Sequence, residues 1–88
     1  MRKRDNGLGL TATEVASPFW DAELARRYPP IMTAQQAAEL LQVPLSTIYD
    51  WSSRGLLKTC ARRLGKRLRF HRDRLVLTAF NKGFYDAE

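Results

Sequence analysis

Apolar residues recur at helical spacing in the first third of the chain. Trp20, Leu24 and Tyr28 lie at every fourth position, which places them along one side of a helix. Ser17-Pro18 is typical of a helix start, with Ser17 as the N-cap and Pro18 as the first helical residue. Pro29-Pro30 ends this short predicted helix.

Two further apolar stripes lie on either side of Val43-Pro44. A capping box of Thr33 and Gln36 predicts a helix over Thr33–Gln42. Leu45–Arg54 is predicted as the next helix, and Gly55 follows it at the position where a left-handed residue is favoured. The residues expected to face inward on these two helices are Ala34, Ala37, Ala38, Leu41, Ile48 and Trp51.

After Gly55 the spacing of apolar residues changes from that of a helix to that of a strand. Leu56–Ala61 is predicted as a short strand, and Arg62–Phe70 as extended residues around a turn at Gly65. In the second arm, basic residues alternate with Leu68 and Phe70, which indicates one basic and one apolar face. His71–Lys82 is predicted as the last helix, closed by Gly83, with Leu75, Val76, Ala79 and Phe80 facing inward.

These elements predict a mainly α domain with a small β-hairpin. A length of 88 residues allows one domain at most. We expect an N-terminal arm with a short helix over residues 1–30, flexible from Met1 to Ala16 where periodicity is weak. The domain itself is expected over residues 31–83, followed by a tail over residues 84–88.

The positive charge is concentrated in one stretch. The chain has 15 Lys and Arg against 9 Asp and Glu, a net charge of +6. From Arg54 to Arg74 nine positive residues stand against Asp73 alone, so this stretch carries +8 and the rest of the chain −2. Like charges this close repel unless anions offset them, which favours a surface that faces phosphates over a merely solvated face.

The same composition argues against catalysis, cofactors and metals. Cys60 cannot form an internal disulfide, and with His71 it falls short of the roughly four ligands of a structural zinc site. The acids are dispersed, and neither Tyr49 nor Tyr85 lies among several arginines as a recombinase nucleophile would. We expect no enzyme and no membrane contact, because no apolar run approaches about 20 residues. The single cysteine fits a cytoplasmic, nucleoid-associated protein.

Two short helices joined by a tight turn, followed by a basic hairpin, indicate a winged helix-turn-helix. The small residues Ala37 and Ala38 allow the helices to approach at a steep angle, and the second helix is then held out as a reading head. Double-stranded DNA is therefore the expected partner.

The segment Met32–Lys82 resembles the excisionase branch of the winged MerR-like helix-turn-helix proteins. The resemblance rests on "MTAQQAAELLQVPLSTIYDWSSRGLL" and on "LGKRLRFHRDRL". It implies a recombination directionality factor whose copies lie side by side on attachment-site DNA, bend it and help a site-specific integrase to excise a mobile element. Small phage-type transcriptional regulators share the layout and are the alternative. A protein-interaction inhibitor that uses the basic face is a third possibility.

Two positions depart from the pattern of this family. Gln42 occupies a turn position that is often Gly, so a left-handed turn there is expected to be strained or differently shaped. Pro44 stands where a capping Ser is common, and a side-chain cap is thereby lost.

The candidate DNA-binding residues follow from these faces. Arg54 is expected to pair with a guanine or a phosphate, and Tyr49 to stack, to donate to phosphate or to be half-buried. Asp50 either accepts from a cytosine or holds a neighbouring arginine, and we prefer the second. The full set is Ser46, Thr47, Tyr49, Asp50, Ser53 and Arg54 on the helix, with Arg62, Arg63, Lys66, Arg67 and Arg69 on the wing.

Aromatic residues outside the domain are the candidates for self-association. A small domain that contacts few bases gains affinity when copies cooperate on adjacent sites. Phe19, Trp20 and Leu24 before the domain, and Phe84 and Tyr85 after it, are the predicted contacts between copies. Docking of Trp20 and Leu24 on the core of the same chain is the other interpretation.

Overall fold

The structure is a computed structural model that describes residues 8–84. The described residues form five α-helices and three short strands, and a 3-10 helix over Ser17–Trp20 follows the first helix. The helices are α1 (Ala12–Ala16), α2 (Ala22–Arg27), α3 (Ala34–Leu41), α4 (Leu45–Ser53) and α5 (Arg72–Asn81), and the strands are β1 (Ile31–Thr33), β2 (Ala61–Leu64) and β3 (Arg67–His71). The predicted mainly α class with a small hairpin is confirmed.

Helices α3 and α4 and the turn between them follow the sequence prediction closely. The Thr33 hydroxyl accepts from the Gln36 amide and the Gln36 side chain accepts from the Thr33 amide, so the predicted capping box is present. Gln42 is left-handed, with φ of 59° and ψ of 47°. Its amide donates to the carbonyls of Ala38 and Glu39, which closes α3 as a glycine would. Pro44 begins α4 without a side-chain cap.

The three strands form an antiparallel sheet in the order β1-β3-β2. The turn at Gly65, with φ of 66°, joins β2 to β3 as predicted. The predicted strand over Leu56–Ala61 is wrong, because residues 54–60 form successive turns and β2 begins only at Ala61. Strand β1 was not predicted, and it pairs Met32 with Phe70 of β3.

One face of the sheet closes the hydrophobic core. Met32, Leu68 and Phe70 alternate onto this face and are buried, as the pattern predicted for β3. They pack with buried residues of α3, α4 and α5, namely Ala34, Ala37, Ala38, Ile48 and Leu75. Trp51 is only half-buried at the edge of this core, and Leu57 is buried from the turn region. The other face of the sheet is left uncovered by this core.

The N-terminal residues differ from the predicted arm. Residues 8–16 are bound to the domain, because the Leu8 amide donates to the Phe80 carbonyl (3.0 Å) and the Leu10 amide to Asn81 Oδ1 (2.7 Å). Thr11 caps α1 with its own capping box, and Val15 is buried. The flexible arm is therefore wrong for these residues, while Met1–Gly7 lie outside the described part.

The single helix predicted from Ser17 is also wrong. Ser17 is not the N-cap of an α-helix. It is the first residue of a 3-10 helix over residues 17–20, and α2 begins separately with Asp21 as its N-cap. The break rotates the apolar residues apart: Trp20 is 74% exposed and Tyr28 only 8%. Trp20, Leu24 and Tyr28 therefore do not share one helix face, contrary to the prediction.

Helix α5 joins the N-terminal residues to the sheet. His71 is its N-cap, with Nδ1 accepting from the Arg74 amide, and Gly83 follows with φ of 84°. Leu75 is buried as predicted, but Phe80 is 49% exposed and lies beside Leu8 and Leu10 instead of in the core. Within residues 8–84 no helix is long and apolar enough to cross a membrane.

Candidate nucleic-acid interface

Helix α4 presents one side to the core and the opposite side to solvent. Ile48 is fully buried and holds the helix on the domain. Tyr49 is 51% exposed, which confirms its outward orientation. The other predicted residues Ser46, Asp50, Ser53 and Arg54 are exposed as well, and Thr47 is half-buried. The outward surface of α4 is therefore free to enter a groove of DNA.

Asp50 and Arg54 interact along the exposed side of α4. Arg54 Nε lies 3.2 Å from Asp50 Oδ2, one helical turn away. This is the arrangement we preferred for Asp50, and it orients the guanidinium while reducing the charge available for phosphate. The Ser53 hydroxyl donates to the Asp50 carbonyl (2.9 Å), so it is committed to its own helix in this structure. Few side chains of α4 are thus left as strong base readers.

The wing, which is the hairpin formed by β2 and β3, lies beside α4. Its cations lie on both sides of Tyr49. On one side a shallow concavity is lined by Tyr49, Ser53 and Arg63. On the other side a second concavity joins Leu45 and Tyr49 to the hairpin residues Lys66, Arg67 and Arg69. Arg63, Lys66 and Arg67 are exposed, so their charges are free to contact phosphates on either side of the helix.

Arg62 and Arg69 lie within the strands, away from the hairpin tip that Gly65 and Lys66 form. They are directly paired across β2 and β3, and the strand alternation places both on the face opposite Leu68 and Phe70. Arg62 also lines the first concavity and Arg69 the second, so each lies at the border between the α4 side and the outer face of the sheet. The predicted site residues are therefore adjacent, but they do not form one flat surface.

Two further residues next to these concavities were not singled out in the sequence. Ser52 lines the concavity that contains Arg63, and Gln35, exposed on the first turn of α3, lines the one that contains Arg67. Ser52 lies three residues after Tyr49 on α4, so helical spacing was a usable signal for it. No comparable signal exists for Gln35, because its position depends on β1 packing beside β3.

The predicted self-association residues are divided between the surface and the core. Trp20 and Leu24 are exposed, at 74% and 37%. Phe19 packs under the guanidinium of Arg72 (3.9 Å from Cζ to the ring centroid), and Phe84 packs on Trp51 (5.3 Å between centroids). Both rings therefore have contacts within the chain, and Tyr85 lies outside the described residues. Contact between copies through this set stays a prediction.

The possible metal ligands of the described residues do not cluster, and the cysteine is buried. In residues 8–84 no group of three or more His, Cys, Asp or Glu side chains is close enough to hold a metal ion. Burial raises the pKa of the Cys60 thiol above its ordinary value, although the Thr59 hydrogen bond and Arg74 act in the opposite direction. A neutral, buried thiol is a poor nucleophile.

Comparison with known proteins identifies the family. A family model described as a helix-turn-helix domain matches residues 31–76, just over half of the 88-residue chain. The comparisons with curated proteins and with solved structures returned no match. The matched segment runs from β1 to the first half of α5 and includes α4 and the whole wing. The chain therefore belongs to this helix-turn-helix family, with a winged fold of the kind that binds DNA.

Proposed function

We propose that this protein is a non-enzymatic excisionase that binds attachment-site DNA cooperatively, bends it and promotes excision of a mobile element by a site-specific integrase. The observation that carries the proposal is the exposed side of α4 lying between wing cations, with Arg63 on one side and Lys66 and Arg67 on the other. The resemblance of Met32–Lys82 to excisionases supplies the specific role.

The geometry supports binding across two adjacent grooves. An α-helix fits the major groove, and the hairpin tip beside it is placed to follow the backbone into the neighbouring minor groove. Because Asp50 already holds Arg54, most of the affinity comes from phosphate contacts of the wing. Modest base specificity, strong salt dependence and a role in bending DNA are consistent with such an interface.

Cooperation between copies offsets the weak binding of one small domain. The exposed Trp20 and Leu24 lie on the N-terminal segment, which is packed on the domain and held in a fixed place. An indole ring that is largely solvent-exposed on a rigid segment is a suitable contact for a neighbouring copy. We place this contact in the assembled protein–DNA complex.

Salt-dependent DNA binding tests the interface. With about five phosphates neutralised, the log–log slope of affinity against salt is expected to be roughly −4 to −5, and Arg67→Ala reduces its magnitude by about 0.9. Arg26→Ala on α2 is the matched control, since it removes an exposed cation that lines neither concavity beside α4 and is expected to leave the slope unchanged. Equal slopes for the two variants would remove the wing from the mechanism.

Gel shifts, DNA-bending assays and reconstituted excision with the integrase test the specific role. Several stepwise complexes on attachment-site DNA, each more bent, together with stimulated excision, are the expected results. A single unbent complex without stimulation contradicts the excisionase role. Footprints confined to a promoter favour the alternative, a transcriptional regulator of the same fold.

A further inference from the structure

The outer face of the sheet forms a second basic surface, which adjoins the concavities beside α4 and shares Lys58, Arg62 and Arg69 with them. It is a concavity of about 710 Å³ whose lining contains no carboxylate. Its cations are Lys58, Arg62, Arg69 and Arg74, which we call the outer basic set. The concavity is also lined by His71 and by two aliphatic residues, Ile31 and Leu64. Their exposed fractions are 55% and 59%.

The arrangement of this face is unfavourable without an anion. Arg62 and Arg69 are direct cross-strand partners on the same face, and like charges directly opposite each other destabilise a sheet. Their guanidinium groups donate to backbone carbonyls, Arg62 to Ala61 (2.9 Å) and Arg69 to Leu68 (3.0 Å). Arg74 donates to the Thr59 carbonyl at 3.4 Å. Neutral carbonyls orient these charges but do not neutralise them.

The described carboxylates of the chain do not supply that anion. Among residues 8–84, Asp50 pairs with Arg54, Asp73 with Arg72, and Glu39 lies 3.9 Å from Arg27. Asp21 and Glu14 cap their own helices, and Glu23 precedes Arg26 and Arg27 on α2. The α2 surface that contains Trp20 and Leu24 therefore mixes both signs of charge. A second copy has no described acidic patch that complements the outer basic set.

The apolar residues distinguish a protein ligand from a second DNA duplex. Ile31 is paired with His71 and Leu64 with Arg67, so the two aliphatic side chains are four residues apart along β3 and two strands apart across the sheet. Standard strand spacings place them about 16 Å from each other, with the paired arginines between. Phosphates gain nothing from two exposed aliphatic side chains, whereas a peptide with apolar residues on either side of acidic ones matches both features.

We propose that the outer face of the sheet binds an extended acidic segment of a partner protein, with two apolar residues that contact Ile31 and Leu64 and carboxylates that pair with the outer basic set. About five extended residues cover a separation of about 16 Å. This surface shares Lys58, Arg62 and Arg69 with the concavities beside α4, whereas Ile31, Leu64 and Arg74 line it alone, so a protein bound there leaves Tyr49 and Lys66 available to DNA. The inference goes beyond DNA binding and holds whether the DNA role is in excision or in transcription.

A labelled synthetic peptide tests the proposal by fluorescence polarisation on the full chain. The probe is a ten-residue peptide of glutamates and serines with two leucines placed four residues apart, an even spacing that puts both on one side of an extended chain. A peptide of equal charge with serines in place of the leucines is the first control. We expect the leucine peptide to bind at least about tenfold more tightly than this control, because contact with Ile31 and Leu64 removes the leucine side chains from water and the serines gain nothing comparable.

Two variants decide whether the binding site is the outer face. Ile31→Ser and Arg74→Glu change residues that line this concavity and neither of the two concavities beside α4. Both are expected to reduce leucine-peptide binding at least about fivefold, with the circular dichroism spectrum and DNA affinity of Ile31→Ser unchanged. Equal binding of the two peptides overturns the proposal. It is also overturned if Ile31→Ser binds the peptide normally, or if it weakens DNA binding as much as Arg67→Ala does.

Discussion

Arg72 is a buried charge that joins the N-terminal segment to the DNA-binding domain. Its side chain is 8% exposed, and it follows the last residue of β3. The Nη1 atom donates to the Tyr28 carbonyl (2.9 Å), Nε donates to Asp73 Oδ1 (2.8 Å), and the guanidinium lies over the ring of Phe19. The Arg72 amide also donates to the Pro30 carbonyl (2.8 Å). Removing this side chain therefore loosens residues 19–28, which are then held by the burial of Tyr28 and by the backbone bond to Pro30.

The size of the effect follows from these contacts. A hydrogen bond from a charged donor contributes about 1.5–3 kcal/mol, and a desolvated cation–π contact about 2 kcal/mol. The pair with Asp73 adds no more than about 1 kcal/mol, because that carboxylate is 36% exposed. Returning the guanidinium to water on unfolding is a gain that offsets part of this total. We expect Arg72→Ala to lower the free energy of unfolding by about 2–4 kcal/mol.

Urea denaturation followed by circular dichroism measures this change, and limited trypsin digestion locates it. Arg72→Ala is expected to speed cleavage after Arg26 and Arg27, and Arg72→Lys to restore only part of the stability, because an ammonium lacks the planar fork that stacks on Phe19. Arg74→Ala is the matched control on the same helix, with an expected change within about 0.5 kcal/mol. A loss below about 1 kcal/mol in Arg72→Ala would refute the assignment of Arg72 as the link.

Three smaller predictions concern the helix-turn-helix and the thiol. Gln42→Gly is expected to stabilise the domain by about 0.5–1 kcal/mol in urea melts, because it relieves a left-handed non-glycine residue; an unchanged midpoint contradicts this. Thr33→Ala removes the capping box and is expected to lower stability by about 1 kcal/mol, while Thr13→Ala, an exposed residue within α1, serves as control. Cys60, at 2% exposure and with a raised pKa, is expected to react with iodoacetamide far more slowly in the folded protein than in urea, and equal rates would show that the core opens readily.

Local chemistry accounts for the parts of the fold that the sequence predicts well. The Thr33–Gln36 capping box, the glycine turn at Gly65 and the alternation of Leu68 and Phe70 with arginines each depend on residues within a few positions. These signals specify α3, the hairpin and its buried face. The outward side of α4 was predictable for the same reason, since the burial of Ile48 determines which residues point away.

Long-range pairing accounts for the parts that the sequence does not predict. Ile31–Thr33 is too short to show strand periodicity, and it becomes β1 only because β3 offers an open edge. The helix expected from Ser17 is interrupted because Asp21 caps a new helix and Tyr28 is drawn into the core, where Arg72 binds its carbonyl. The ordering of residues 8–16 likewise depends on contacts with Phe80 and Asn81, about 70 positions away.

The basic run between Arg54 and Arg74 shows why charge counts do not locate a binding surface. In a strand, successive side chains point to opposite faces, so a run of neighbouring arginines is divided between two sides of the sheet. Arg63 lines a concavity shared with α4, while its neighbour Arg62 is paired with Arg69 on the outer face and reaches that concavity only at its border. Arg72 is buried, and its guanidinium donates to the Tyr28 carbonyl. One stretch of positive charge therefore serves different purposes. We expect variants of Arg63 to affect mainly DNA binding, variants of Arg74 mainly partner binding and variants of Arg72 mainly stability, while Arg62 contributes to both binding surfaces.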